Sequence, residues 1–212
     1  PSLDFILSRS ISLTPKTRTG VVPWDAESIE AGMREGHKQI EEFWSAIRVH
    51  PAFAKARIAQ ISKKLGVREG RRIKGDYVLT GEDCLGEARF DDMVAACGYA
   101  LDIHNPTGTG TVMKSIPGSD YYHIPYRSLC AAGLHNLLLG SRCISGTHEA
   151  HSSYRVMSSV SAIGQAAGVA AAVTAKRDLP EIRVVAAGEI RRVLKDQRQF
   201  VEEPRTRSDS LD

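Results

Sequence analysis

Aromatic side chains are scarce, at 6% of the 212 residues, so any core must be mostly aliphatic and alanine-rich. Cysteine is scarcer still. The four present, Cys84, Cys97, Cys130 and Cys143, never fall in a CxxC or CxxH spacing. That argues against a zinc or iron–sulfur site made by this chain alone, and no metal-binding residues are assigned. The thiols read instead as single buried groups in a reduced cytoplasmic protein. An excess of one charge is also missing. Lys plus Arg total 28 against 25 Asp plus Glu, a net charge of +3 with the signs interspersed, which argues against a nucleic-acid partner. No signal-peptide pattern is present, and the chain opens at Pro1, which reads as a processed end, an engineered boundary or an internal cut. Long hydrophobic runs are lacking with one exception: Val156 to Ala175 carries no formal charge. Its Ala, Ser and Gly content marks a tightly packed helix of a soluble protein, with no membrane partner expected.

What the chain does have is ordinary globular content, 42% hydrophobic, enough to exclude disorder over most of its length. Residues 1–23 alternate apolar positions with Pro15, Gly20 and Pro23 and read as extended segments and turns. Asp25 caps a predicted helix to about Val49, with Ile29, Met33, Ile40, Phe43 and Ile47 on one face. Pro51 opens a second predicted helix, bearing Phe53, Ile58, Ile61 and Leu65 and closed by Gly66, so the pair reads as a helical hairpin. Val67 to Leu79 has strand composition, broken at Gly70 and Gly75. Thr80 and Asp83 frame a short capped helix. Residues 93–104 read as a strand interrupted at Gly98, 105–119 as a loop, and Tyr121 to Leu129 as extended again. A last helix is predicted over about Ala187 to Phe200, and 201–212 as a disordered tail. The Gly108-Thr109-Gly110 stretch lacks the strand before and helix after that a phosphate loop needs, and reads as a surface turn.

The most informative segment runs from Asn136 to Lys176. A short apolar strand, Leu137 to Leu139, stops at Gly140. A polar connection follows, with Arg142, His148, Glu149, His151, Tyr154 and Arg155. A long helix of small residues then begins near Ser158, carrying Gly164 and Gly168 at GxxxG spacing. Strand, glycine turn, polar loop and helix start form the junction where α/β proteins bind ligands. A helix start favours a bound anion or a developing negative charge. Glycine inside a helix costs about 1 kcal/mol against alanine, so close approach by another backbone or a flat ligand is expected to offset it. Two smaller sets stand apart. The first is Ile124 to Arg127, with His104 upstream; the second is Arg68, Arg71 and Arg72, which suit an acidic substrate or a solvated face equally.

GVREGRRIKGDYVLTGEDC, GYALDIHNPTGTG, IPYRSL and NLLLGSRCISGTHEAHSSYRVM followed by IGQAAGVAAA occur in that order. Together they resemble the C-terminal half of the FAD-dependent oxidoreductase family, bacterial flavoproteins related to the flavin subunit of heterodisulfide reductase, over about residues 25–198. The resemblance implies FAD as cofactor and hydride transfer with a small-molecule substrate. It implies an α/β (α+β) fold: the C-terminal portion of an FAD/NAD(P)-binding Rossmann-like domain, left incomplete because no GxGxxG follows a strand here. Residues 1–92 would belong to an inserted cap and substrate region with the helical hairpin. Residues 93–200 would be the C-terminal segment of the FAD-binding domain. The N-terminal FAD-binding half would be supplied in cis or in trans. Gly140, Ser141 and Arg142 would lie along the ribityl and phosphate portion, and Arg155, Val156 and Met157 would border the isoalloxazine ring. The helix bearing Gly164, Gln165 and Gly168 would aim its positive end at the flavin. His104, Arg127 and His148 are the candidates for substrate orientation or proton transfer. Without the other half, the chain is expected to leave the faces of Val94 to Ala100 and of the Gly164 helix partly uncovered, and so to aggregate or oligomerise. The alternative is a non-catalytic, truncated or partner-binding module.

Overall fold

The computed structural model describes residues 21–104 and 111–201. The expected extended segments of 1–20, the Gly108 turn and the tail from residue 202 lie outside the described residues. The chain divides into two compact units, 1–70 and 71–212.

In the first unit, helix α1 (Ala26–Ile47) begins where expected. The Asp25 carboxylate accepts from the Ser28 amide at 2.9 Å and satisfies one amide of the opening turn. The second helix of the predicted hairpin does not form. Pro51–Phe53 makes a single 3-10 turn, and no residue from 54 to 66 is buried. An apolar stripe that is at most half-buried has little to offset the cost of helix nucleation.

The second unit contains β1 (Met93–Cys97), β2 (Leu101–His104), β3 (Thr111–Lys114) and β4 (Tyr122–Pro125). Its helices are α2 (Gly81–Leu85), α3 (His148–Tyr154), α4 (Met157–Lys176) and α5 (Ala187–Asp196). The fold is α+β. Strand β1 pairs antiparallel with β4, Cys97 opposite Tyr122, and β2 pairs antiparallel with β3, Asp102 opposite Met113. Thr111–Lys114 was expected as loop, but it follows β2 closely enough to return beside it as a hairpin. This agrees with the α+β part of the expectation; among the described residues the single parallel contact is the isolated bridge Leu79–Gly146. Leu137 to Leu139 does not become a strand. Its backbone meets the short segment 129–131 through one bridge, Cys130–Leu138, an Ala131 N–H donated to the Leu137 carbonyl at 3.3 Å and a Leu139 N–H donated to the Leu129 carbonyl at 2.8 Å. Leu137 remains 39% exposed.

Val67 to Leu79 is not a strand either, because its backbone partners alternate between two loops. The amide of Asp76 donates to the Cys130 carbonyl, and those of Ile73 and Leu79 donate to the Cys143 and Ser145 carbonyls. Threading that gap requires glycine at position 75. A Cβ there would meet the Cys130 carbonyl oxygen and the Ser145 Cβ at 2.9 Å, and the Arg127 carbonyl oxygen at 3.1 Å. Backbone oxygens held by their own hydrogen bonds yield little. Gly75→Ala is expected to cost about 2 kcal/mol, measurable as a lower denaturation midpoint at unchanged m-value.

The core centres on β1. Val94, Ala95 and Cys97 are buried, and α4 and α5 pack against the strand. Of the face expected to be partly uncovered, Val94 to Ala100, the stretch Val94 to Cys97 is covered within the chain, while Tyr99 is 41% exposed. Thr80 and Asp83 close the predicted capping box on α2, and the Asp83 carboxylate also accepts from the Tyr77 hydroxyl at 2.9 Å. Helix α4 buries Ser159, Ile163, Ala166, Ala167, Val169 and Ala170 on one side and exposes Ser161, Gln165 and Gly168 on the other. By length and composition alone it could cross a membrane. Arg183 ties α5's approach to the rest of the unit: it pairs with Asp76 and donates to the carbonyls of Ala131 and Leu134.

Candidate functional site

The polar connection after Gly140 was expected as a loop, but half of it is helix α3. Thr147 supplies the cap by accepting from the Ala150 amide, while its own amide donates to the Leu79 carbonyl at 2.8 Å. The spacing 150, 151, 154 turns Ala150, His151 and Tyr154 inward, and all three are buried. The Tyr154 hydroxyl donates to the Ile144 carbonyl at 3.1 Å, and its ring lies edge-on to His151 at 5.4 Å. His148, half-buried, and Glu149, exposed, form the first turn. Hydrogen bonds from its own backbone and from Thr147 hold the Glu149 carboxyl below its usual range, with His148 and Arg72 adding smaller charge effects.

Beneath α3 lies a buried polar chain with no signal in the sequence. The Tyr122 hydroxyl donates to Ser153 Oγ at 2.8 Å, and Ser153 donates to the Tyr99 carbonyl. Cys97 Sγ sits 3.5 Å from Ser153 Oγ. Burial pushes the Tyr122 hydroxyl well above its ordinary value, and burial likewise raises the Cys84 thiol to about 12. A thiol that stays protonated at neutral pH is a poor nucleophile, so Cys84 is a packing group.

Between α3 and α4 the chain turns within two residues. Arg155 closes α3 and Val156 caps α4 without any side-chain hydrogen bond to the new helix's amides. Met157, first in α4, is 87% exposed. This helix start therefore combines an amide cluster that no cap side chain covers, the positive end of a 20-residue helix and an exposed thioether. The Arg155 guanidinium donates through Nη2 to the Asp102 carbonyl of β2 at 2.9 Å.

The glycines of α4 divide between two uses. A Cβ on Gly164 would meet the Gly140 carbonyl oxygen at 3.2 Å, and one on Gly140 would meet Ala167 Cβ at 3.3 Å. Gly140 thus lays its backbone on the helix, and this approach offsets the cost of glycine at 164. Around Gly168 the corresponding space holds no atom within 4 Å. Gln165 gives its amide to Gln197, just beyond α5, at 2.8 Å. Ser141 turns its hydroxyl onto Cys143 Sγ at 3.0 Å, while Arg142 is exposed.

The remaining predicted residues do not gather at this junction in one cluster. Arg127 grips Asp92 with both arms of its fork, at 2.9 and 3.2 Å, and lies over the Tyr77 ring. The Asp92 hydrogen bond raises the guanidinium further above its already high value. Sequence reading missed Asp92, whose pairing across 35 positions leaves no local signal. His104 contributes backbone to β2, opposite Thr111; its side chain lies outside the described residues. In the basic cluster, Arg72 donates to the Gly146 carbonyl at 3.0 Å and steadies the loop before α3. Among the described residues no group of three His, Cys, Asp or Glu side chains is placed to hold a metal ion.

The start of α4 suits the anionic edge and flat apolar face of a flavin: backbone amides for the one and Met157 for the other. Gly164 and Gln165 are occupied within the chain. A family model described as FAD dependent oxidoreductase matches residues 6–194. No curated protein and no solved structure matches the chain.

Proposed function

We propose, on the premise that this chain belongs to the FAD dependent oxidoreductase family, that it forms the flavin-facing and substrate-facing portion of an enzyme moving hydride between a small organic molecule and FAD. The family is FAD dependent and suggests a Rossmann-like FAD-binding fold. The observation that carries the assignment of the site is the start of α4, where amides without a side-chain cap meet the exposed Met157. Bound there, FAD supplies the hydride acceptor. The chain's own part is to stabilise negative charge with the α4 amides and dipole, and to offer Met157 as an apolar wall. The loop Gly140 to Arg142, held against α4, presents backbone and a guanidinium to the ribityl and phosphate portion. Arg127 spends its fork on Asp92. Substrate orientation or proton transfer therefore falls first to His148, at the start of α3, with His104 second.

The finer reading is that the chain is the C-terminal half of such a protein, related to the flavin subunit of heterodisulfide reductase. The half bearing GxGxxG would join it in cis or in trans, in the cytoplasm, without membrane or nucleic acid. The motif order and the lack of a GxGxxG after a strand support this reading. Joining the chain to a GxGxxG-bearing half is expected to give a yellow protein that retains flavin through gel filtration, whereas the chain alone binds little. A completed protein that folds and stays colourless would sink the proposal.

A further inference from the structure

The geometry points to Arg155 as a positioning residue that couples the β2–β3 hairpin to the start of α4, an inference that rests on the reading of that helix start given above.

The hairpin needs such support. Among the described residues β2 and β3 form a two-stranded sheet of their own, an arrangement that is marginal in water without packing on another element. Inward, Leu101 is buried and β2 packs against α3. Outward, Val112 and Met113 are 53% and 61% exposed. Arg155 reaches into the middle of this ladder, to the carbonyl of Asp102, the residue opposite Met113.

The other end of the same residue is fixed. The Arg155 amide donates to the His151 carbonyl at 3.2 Å and closes α3, and the next residue, Val156, is the N-cap of α4. One half-buried side chain therefore joins the hairpin's central pair to the backbone that aims the α4 amides. Displacing β2 would pull on the residue that sets the direction of those amides. Conversely, a ligand held by the amides would restrain β2. The two elements it joins also carry the exposed thioethers Met113 and Met157, so the coupling spans apolar surface on both sides.

Such coupling is reciprocal: whatever factor the ligand contributes to hairpin stability, hairpin order returns to ligand affinity. The expected signature is in amide hydrogen exchange, measured on the chain joined to its GxGxxG half, with and without FAD. In the wild type, FAD slows exchange over Leu101–Ile103 and Val112–Lys114 on the order of tenfold, within the usual range of coupling factors. In Arg155→Met, which keeps apolar bulk and removes the donor, hairpin exchange is fast and the same in both states. Arg155→Lys, which keeps a cationic donor but loses the planar fork, recovers part of the dependence on FAD, which a merely structural role would not predict. If Arg155→Met keeps the wild-type response to FAD, the inference is overturned. It is equally overturned if the yellow wild type shows no slowing in the hairpin. A colourless wild type overturns the functional reading and this inference with it, and that outcome is visible before any exchange is measured.

Discussion

Raising the pH from 9 to 10 is expected to cost the folded chain roughly 2 kcal/mol. Burial lifts the Cys84 thiol from 9 to about 12 and the Cys130 thiol from 9 to about 11. Both are essentially inaccessible to water. A group whose folded pKa exceeds its unfolded pKa stabilises fully below the unfolded value, and that contribution is lost as pH rises through the folded value. Between pH 9 and 10 the unfolded thiols go from about half to about nine-tenths ionised, while the folded thiols keep almost all of their protons. Each contributes about 1 kcal/mol over this interval, short of the limiting slope of about 1.4 kcal/mol per pH unit. Above pH 10 Tyr122 joins them, since burial raises its hydroxyl well above 10. A stability near 5 kcal/mol, the lower end of the typical domain range, would be exhausted between about pH 10 and 11. Urea titrations at pH 8, 9 and 10 measure the slope. A midpoint that does not move from pH 9 to 10 would show that the thiols are not buried as described. Replacing Cys84 and Cys130 with Ala should flatten the slope over that interval, at some cost in packing at every pH.

Tyr154→Ala is expected to cost about 4 kcal/mol, lowering the melting temperature by roughly 10 °C. The side chain is fully buried in the core beneath the α3–α4 junction. Its ring rests on backbone: a Cβ on Gly146 would come within 2.8 Å of it. Truncation therefore removes both the ring's packing and the hydroxyl bond to Ile144. Tyr154→Phe separates the two contributions and should cost about 1 kcal/mol, the net value of one hydrogen bond. Calorimetry on both variants checks the pair. If Phe costs as much as Ala, the Ile144 contact rather than the ring holds the loop before α3. Because His148 opens α3 and Arg155 closes it, the Ala variant should also disturb the candidate site, and this would appear as reduced flavin retention in the completed protein.

The elements legible in the sequence are those stabilised locally. Asp25 followed by Ser28, and Thr80 followed by Asp83, place cap and acceptor within one turn of their amides, so both helices start where read. Helix α4 was legible from a run of residues without charge, and the break at Gly98 from a glycine between two buried stretches. The errors share a cause. Residues 54–66 carry helical periodicity but are at most half-buried, and Val67 to Leu79 has strand composition but divides its hydrogen bonds between two loops. Leu137 to Leu139 looks like a strand and has no neighbouring strand among the described residues. Periodicity and composition report what a segment can bury; they do not report whether a partner is there to bury it.

The same division holds at the candidate site. The sequence by itself determined the family, the FAD dependence and the presence of a helix with glycine at 164 and 168. It did so because motif order and local propensity are properties of neighbours along the chain. Only the tertiary structure decided that Gly164 receives the Gly140 backbone, that Arg127 is held by Asp92 and that Arg155 reaches the Asp102 carbonyl. Those pairings span 24, 35 and 53 positions, distances at which hydrogen bonding and close approach follow from packing rather than sequence spacing.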